Sequence, residues 1–145
     1  MYNNEYDNQV IEFLNELTLR TNAGEIEWKS IRAFSPAEIG FPGIIDEIQD
    51  IFQNEFTHVL PMNSYYARHK DGIVALIRID NESGKDASHH TSFVFMVQIN
   101  TSAEVQSFDS DYYQEDSKIL YRAITRSLNK GVDMEKACLL YTSDA

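Results

Sequence analysis

Two periods of hydrophobic alternation run along this chain, and the places where one gives way to the other mark its elements. The two-residue period is strongest between Tyr65 and Ile99. Tyr65-Tyr66-Ala67-Arg68-His69 and Ile73-Val74-Ala75-Leu76-Ile77-Arg78-Ile79 are rich in β-branched and aromatic residues, with Lys70-Asp71-Gly72 between them. Asp-Gly supplies the positive φ angles of a tight turn, so the pair predicts a β-hairpin. In the second strand Ile73, Ala75, Ile77 and Ile79 share one face, and Val74, Leu76 and Arg78 share the other. Apolar residues on both faces predict a central, covered strand. Thr91 to Asn100 behaves the same way: Phe93, Phe95, Val97 and Ile99 alternate with Val94, Met96 and Gln98. Between these strands Asp80 to Ser88 is polar and contains Gly84, which predicts a surface loop.

The 3.6-residue period takes over on either side. Glu5 to Thr21 places Tyr6, Val10, Phe13, Leu14 and Leu17 on one stripe, the mark of an amphipathic helix. Gly24 is suited to end it in a left-handed cap. Glu25 to Phe34 returns to a strand, with Ile26 and Trp28 on one face and Glu25, Glu27 and Lys29 on the other. Ser35-Pro36-Ala37-Glu38 is a helix-start signature: Ser caps, Pro takes the first helical position and Glu reaches back. Ile44 to Asn54 is a second helix, with Ile44, Ile45, Ile48, Ile51 and Phe52 as its buried stripe. Phe56 to Leu60 fits either a short strand or a linker, and Glu104 to Phe108 reads as a short edge strand. Asp109-Ser110-Asp111 caps a last helix, about Tyr112 to Lys130, whose early acids and final lysine suit the helix dipole. Gly131 is a natural stop.

This order predicts an α+β fold: an antiparallel sheet of about 4–5 strands with N-terminal, middle and C-terminal helices packed mainly on one face. At 145 residues the chain has the size of one domain, expected over 1–137. No apolar run approaches the roughly 18 residues of a membrane span. Met1 to Glu5 lacks the basic-then-apolar layout of a signal peptide, so a cytoplasmic location is expected. The formal net charge of −11 argues against direct nucleic-acid binding through phosphate neutralisation. It leaves an acidic surface able to meet a basic partner.

Cys138-Leu139-Leu140-Tyr141-Thr142-Ser143-Asp144-Ala145 resembles the translation of a transposase adapter used in sequencing libraries. On that reading 138–145 is an adapter-derived scar outside the fold, and the natural frame runs past Ala137. The single cysteine is then not native and offers no disulfide or thiol chemistry. Environmental DNA from a phage or bacterium is the expected source.

Leu14-Asn15-Glu16-Leu17-Thr18, then Thr21, then Gly24-Glu25-Ile26-Glu27-Trp28, resembles a set of short phage and prophage proteins. These open with an L-x-E-L-T helix, a small-Gly turn and an I-x-W strand. Tyr65-Tyr66-Ala67, Asp71-Gly72-Ile73-Val74-Ala75-Leu76, and the closing Leu120-Tyr121-Arg122, Arg126-Ser127 and Val132-Asp133 are similar to theirs. The resemblance spans most of 10–134 and rests mostly on fold-bearing residues. It implies a prior toward proteins that sequester nucleotide immune signals or block host proteins, and it names no site.

Four groups of residues could carry chemistry. Lys118, Arg122 and Arg126 lie four apart and share a helix face with Asn129, while Leu120, Tyr121, Ile124 and Leu128 lie opposite. Arg forks match phosphate; the plainer account is a solvated face pairing with acids such as Glu115. Trp28, Tyr65, Tyr66, Tyr112 and Tyr113 could stack on a base, or serve as core and edge packing. Tyr65 and Tyr66 point to opposite faces, so at most one lines a given pocket. Among His58, His69, His89 and His90 there is no zinc-site spacing, and His90-Thr91-Ser92 is a single copy of an H-x-S element that phosphoesterases use twice. Asp109, Asp111, Glu115 and Asp116 fit capping and dipole roles better than a calcium loop.

The expected function is therefore non-enzymatic: a small phage-type protein that sequesters a phosphorylated small molecule of the nucleotide-signal kind. Lys118, Arg122 and Arg126 would face phosphate, and Tyr65 or Tyr66, Arg68 and Arg78 would line the rest. Arg78 is included because it interrupts an apolar strand face, and a buried arginine needs an anion or acid partner. No cofactor or metal is expected, and a homo-oligomer paired through the edge at Glu104 to Phe108 is. The competing classes are an acidic blocker of a host nucleic-acid-binding protein and a phosphodiesterase using His89 or His90.

Overall fold

A computed structural model of the chain describes residues 5–31, 39–53, 58–59, 63–83 and 88–142. Among these, six strands form one antiparallel sheet: β1 (Lys29–Ser30), β2 (His58–Val59), β3 (Tyr65–His69), β4 (Gly72–Ser83), β5 (Ser88–Gln98) and β6 (Gln106–Phe108). The order is β1-β3-β4-β5-β6, and β2 pairs with β4 beyond the end of β3, Val59 opposite Ile79. The helices are α1 (Glu5–Asn22), α2 (Pro42–Phe52) and α3 (Gln114–Thr142), the last entered through a 3-10 turn at Asp111–Tyr113. The architecture is α+β, with β4 central as its two apolar faces predict. No helix among the described residues is long and apolar enough to cross a membrane.

Alternation along β4 and β5 sorts the core into two halves. Val74, Leu76, Phe93 and Phe95 face α1 and α3, where they meet Leu14, Leu17, Leu120 and Ile124. Ile73, Ala75, Ile77, Val94 and Met96 face the other way and meet Ile44, Ile45 and Ile48 of α2. Burying each large aliphatic side chain contributes roughly 2 kcal/mol. The two long helices thus share one face as expected, and α2 covers the opposite one. A strand apolar on both faces needs a cover on each, and α2 is the second cover.

Several local expectations change. The hairpin strands run past their apolar stretches: Asp80 to Ser83 pair with Thr91 to Ser88, where the polar composition predicts a loop. Of the expected strand Glu25 to Phe34, residues 25–31 are described, and among them the strand is the two-residue β1. Ile26 and Trp28 are nonetheless buried, and the Trp28 Nε1–H donates to Thr21 Oγ1 at 3.0 Å. α2 begins at Pro42, two residues early, because Pro needs no hydrogen-bond partner at a first turn. α3 continues through Gly131, where a stop is expected. Ser110 precedes its entry turn without a side-chain cap bond. The Ser35 to Glu38 signature and Ala145 lie outside the described residues, as do the side chains of Phe52 and Cys138.

Two glycines act as local signals. Gly24 has φ 77°, its N–H reaches Thr21 O at 3.1 Å, and the Glu25 N–H reaches Arg20 O at 2.9 Å. That is the Schellman ending expected for α1. Gly72 plays a different part from the one its sequence predicts. The positive φ belongs to Lys70, at 56°, and Gly72 is already a paired strand residue opposite His69. A Cβ there would lie 2.7 Å from Ile99 O and closer still to Gln98 O, so glycine is needed for space rather than for the turn.

Candidate functional site

The α1/α3 side of the sheet holds an aromatic cage around Arg78. Alternation on β4 turns Arg78 to the same face as Val74 and Leu76, and α3 brings Tyr121 over it. The Arg78 Nη1 donates to Tyr121 Oη at 3.2 Å, and the guanidinium lies 5.5 Å from the Tyr121 ring centroid. Tyr121 also packs against Phe93 at 5.1 Å and Tyr65 at 6.0 Å between ring centroids. Asp80 Oδ1 sits 3.7 Å from Arg78 Nε, and Thr91 Oγ1 donates to that same oxygen at 3.0 Å. The acid that balances Arg78 is therefore Asp80, two residues along its own strand. The bond to Tyr121 holds the arginine pKa up against the burial that lowers it. Burial, and then Tyr121, raise the pKa of Tyr65.

Beside this cage, the outer face of α3 carries Lys118, Arg122 and Arg126, all exposed. None forms an ion pair among the described residues. Successive cations sit one turn apart, about 6 Å along the axis. They make a positive strip on a chain of net charge −11. Glu115, the acid expected to pair with them, does not do so among the described residues.

The seven expected site residues do not form one pocket. Tyr65 and Arg78 both meet Tyr121, and the three α3 cations share their side of the sheet. Tyr66 and Arg68 are turned to the opposite face by strand alternation. There Tyr66 is buried in the α2 core. Arg68 donates from Nη2 to Ile39 O at 2.9 Å, with its guanidinium 5.8 Å from the Phe41 ring centroid. Trp28 is core, as its alternation with Ile26 implies. Tyr113 is buried and its hydroxyl donates to Asp7, while Tyr112 remains partly exposed.

The residue that sequence reasoning left out is Tyr121, set among the apolar residues of α3. Its neighbour Arg122 was the only local signal. His69 was left out as well. It sits at the hairpin end of β3 beside a groove of about 210 Å³, and its Nε2 is buried without a hydrogen-bond partner among the described residues. Burial lowers its pKa, helped by the positive charges of Lys70 and Arg20. The side chains of His58, His89 and His90 lie outside the described residues, so the histidine of the single H-x-S element is not described, while its Thr91 and Ser92 are. No protein family, curated protein sequence or solved structure matches this chain.

Proposed function

We propose that this is a non-enzymatic binding protein that holds a phosphorylated small molecule of the nucleotide class on the outer face of α3. One observation carries the reading: Lys118, Arg122 and Arg126 form an exposed cationic strip with no ion pair among the described residues, on a strongly acidic chain. An acidic protein repels anions in general, so a cationic strip that forms no ion pair among the described residues would give an anion one preferred place to bind. Two arginine forks one turn apart can each take two oxygens of a phosphate. Tyr121, caged with Arg78 beside the strip, is the aromatic surface nearest in sequence for a base. The resemblance to small phage proteins supports an immune signal as the ligand and sequestration in an infected bacterium as the role.

A thermal-shift screen against linear and cyclic nucleotides tests this. A ligand at a hundred times its Kd adds about 2.7 kcal/mol to folded-state stability. That corresponds to roughly 5–10 °C in Tm for a chain of this size. The shift should vanish in Arg122→Ala/Arg126→Ala, whose side chains are exposed and whose loss leaves the core intact. No shift across the panel, or a shift that survives the double variant, overturns the proposal.

A second reading rests on α2. Its outer face exposes Asp46, Glu47 and Asp50 with no ion pair among the described residues. Such a surface fits a blocker of a basic, nucleic-acid-binding host protein. Capture of that partner would be lost in Asp46→Asn/Glu47→Gln/Asp50→Asn and unaffected by the arginine pair.

A further inference from the structure

Spacing along α3 adds a second constraint to its charge. Lys118, Arg122 and Arg126 recur every four residues and are all exposed. A helix rises about 1.5 Å per residue, so their backbone positions step by about 6 Å and turn by about 40° each time. The result is an oblique ladder of cations about 12 Å long rather than a cluster closing on one point. Lys130 continues the same spacing within α3, its side chain outside the described residues. Ile119 lies on this ladder, one turn from Arg122 and two from Arg126, and leaves 38% of its surface in water. An exposed aliphatic side chain among the cations offers an apolar contact that inorganic phosphate cannot use. At its N-terminal end the ladder stops at acids: Asp111 and Glu115 are exposed and form no ion pair among the described residues.

We propose that the ligand of this face is a short linear oligonucleotide, with one phosphate on each of Lys118, Arg122 and Arg126 and a sugar or base against Ile119. The inference rests on the reading of α3 as a nucleotide-binding face. The phosphate of a mononucleotide is a single point on a ladder about 12 Å long, so most of the strip stays unused. Phosphates repeat about every 3.4 Å along the axis of a stacked strand and further apart in an extended one, so an unstacked strand can match the steps of the helix. Length is limited from both sides. Fewer than three phosphates leave one of these cations without a counter-charge. A long polyanion runs past the ladder onto Asp111 and Glu115 and meets the field of a chain of net charge −11.

The probes are 5′-phosphorylated oligothymidylates of one and three nucleotides, with tripolyphosphate as the counterpart that lacks nucleosides. Each is titrated into the intact chain by calorimetry at several salt concentrations. Each added phosphate should tighten binding about threefold, the scale of one exposed ion pair, so the trinucleotide should bind about tenfold more tightly than the mononucleotide. In a plot of log K against log salt the trinucleotide slope should be about −2, from roughly 0.7 per neutralised phosphate. It should fall to about −1.4 in Lys118→Ala, Arg122→Ala and Arg126→Ala alike. Tripolyphosphate should bind more weakly than the trinucleotide, and Ile119→Ser should narrow that difference. Equal affinity for the mono- and trinucleotide, with a slope near −0.7, overturns the ladder and leaves single-nucleotide binding intact. Tripolyphosphate binding as tightly as the trinucleotide overturns the oligonucleotide as the ligand. No binding of either nucleotide, or slopes unchanged in all three alanine variants, overturns the ladder and the nucleotide-binding face together.

Discussion

The side chain of Gln114 pairs with the backbone of Phe93 as another strand would. Its Oε1 accepts from the Phe93 N–H at 2.8 Å, and its Nε2 donates to the Phe93 carbonyl at 2.9 Å. β6 pairs with β5 only at Phe95, Met96 and Val97, which leaves Phe93 at an open edge. A single glutamine at the start of α3 closes that edge and docks the helix on the sheet. Gln114→Ala leaves both backbone groups of Phe93 without their partner. It should cost about 2 kcal/mol in chemical denaturation. Gln114→Glu, which keeps the acceptor and loses the donor, should fall between. A loss in Gln114→Ala below about 0.5 kcal/mol would mean that water replaces the amide at no cost.

Gly72 and Lys70 make opposite predictions within one turn. Gly72→Ala forces a methyl group against the backbone carbonyls of Gln98, the last residue of β5, and of Ile99 just after it, which cannot swing away as a side chain would. It should destabilise by about 2–3 kcal/mol, the usual scale of overpacking. Lys70→Gly relieves a left-handed residue and should be neutral or stabilising by about 1 kcal/mol. Urea midpoints of the two variants decide the matter. If Gly72→Ala is tolerated and Lys70→Gly is not, the turn is built the other way round.

Tyr113 ties alkaline stability to the contact between α1 and the entry turn of α3. Burial raises its pKa to about 12 from 10.0, aided by the hydrogen bond to Asp7. The folded state therefore holds the proton more tightly than the unfolded chain. Its contribution is complete below pH 10 and is lost as the pH rises through about 12. Tyr113→Phe should remove part of the wild-type fall in stability across that window, read from thermal melts at successive pH values. Equal falls in both proteins would assign the alkaline loss to other groups.

Much of the fold can be read from local pattern because its causes are local. The alternation of Ile73 to Ile79 requires a strand covered on both faces, whatever lies above it. The stripe of Val10, Leu14 and Leu17 requires a helix face, and Gly24 requires its end. Tyr65 and Tyr66 fall on opposite faces for the same reason, so the division of the expected site residues was already implied there. The polar stretch from Asp80 to Ser83 misled because ladder hydrogen bonds are made by the backbone and need no apolar side chains.

The chain by itself determined which residues must be buried, where α1 ends, and that a cationic strip runs along α3. Those follow from helix and strand periodicity and from backbone chemistry within a few residues. Tertiary structure alone decided that Tyr121 meets Arg78 across 43 positions, that Asp80 balances the arginine, and that Gln114 closes the edge at Phe93. It also decided that Gly72 is kept for the space between two strands. Such contacts depend on how whole elements dock, and docking is set by the summed burial of two cores rather than by any single residue.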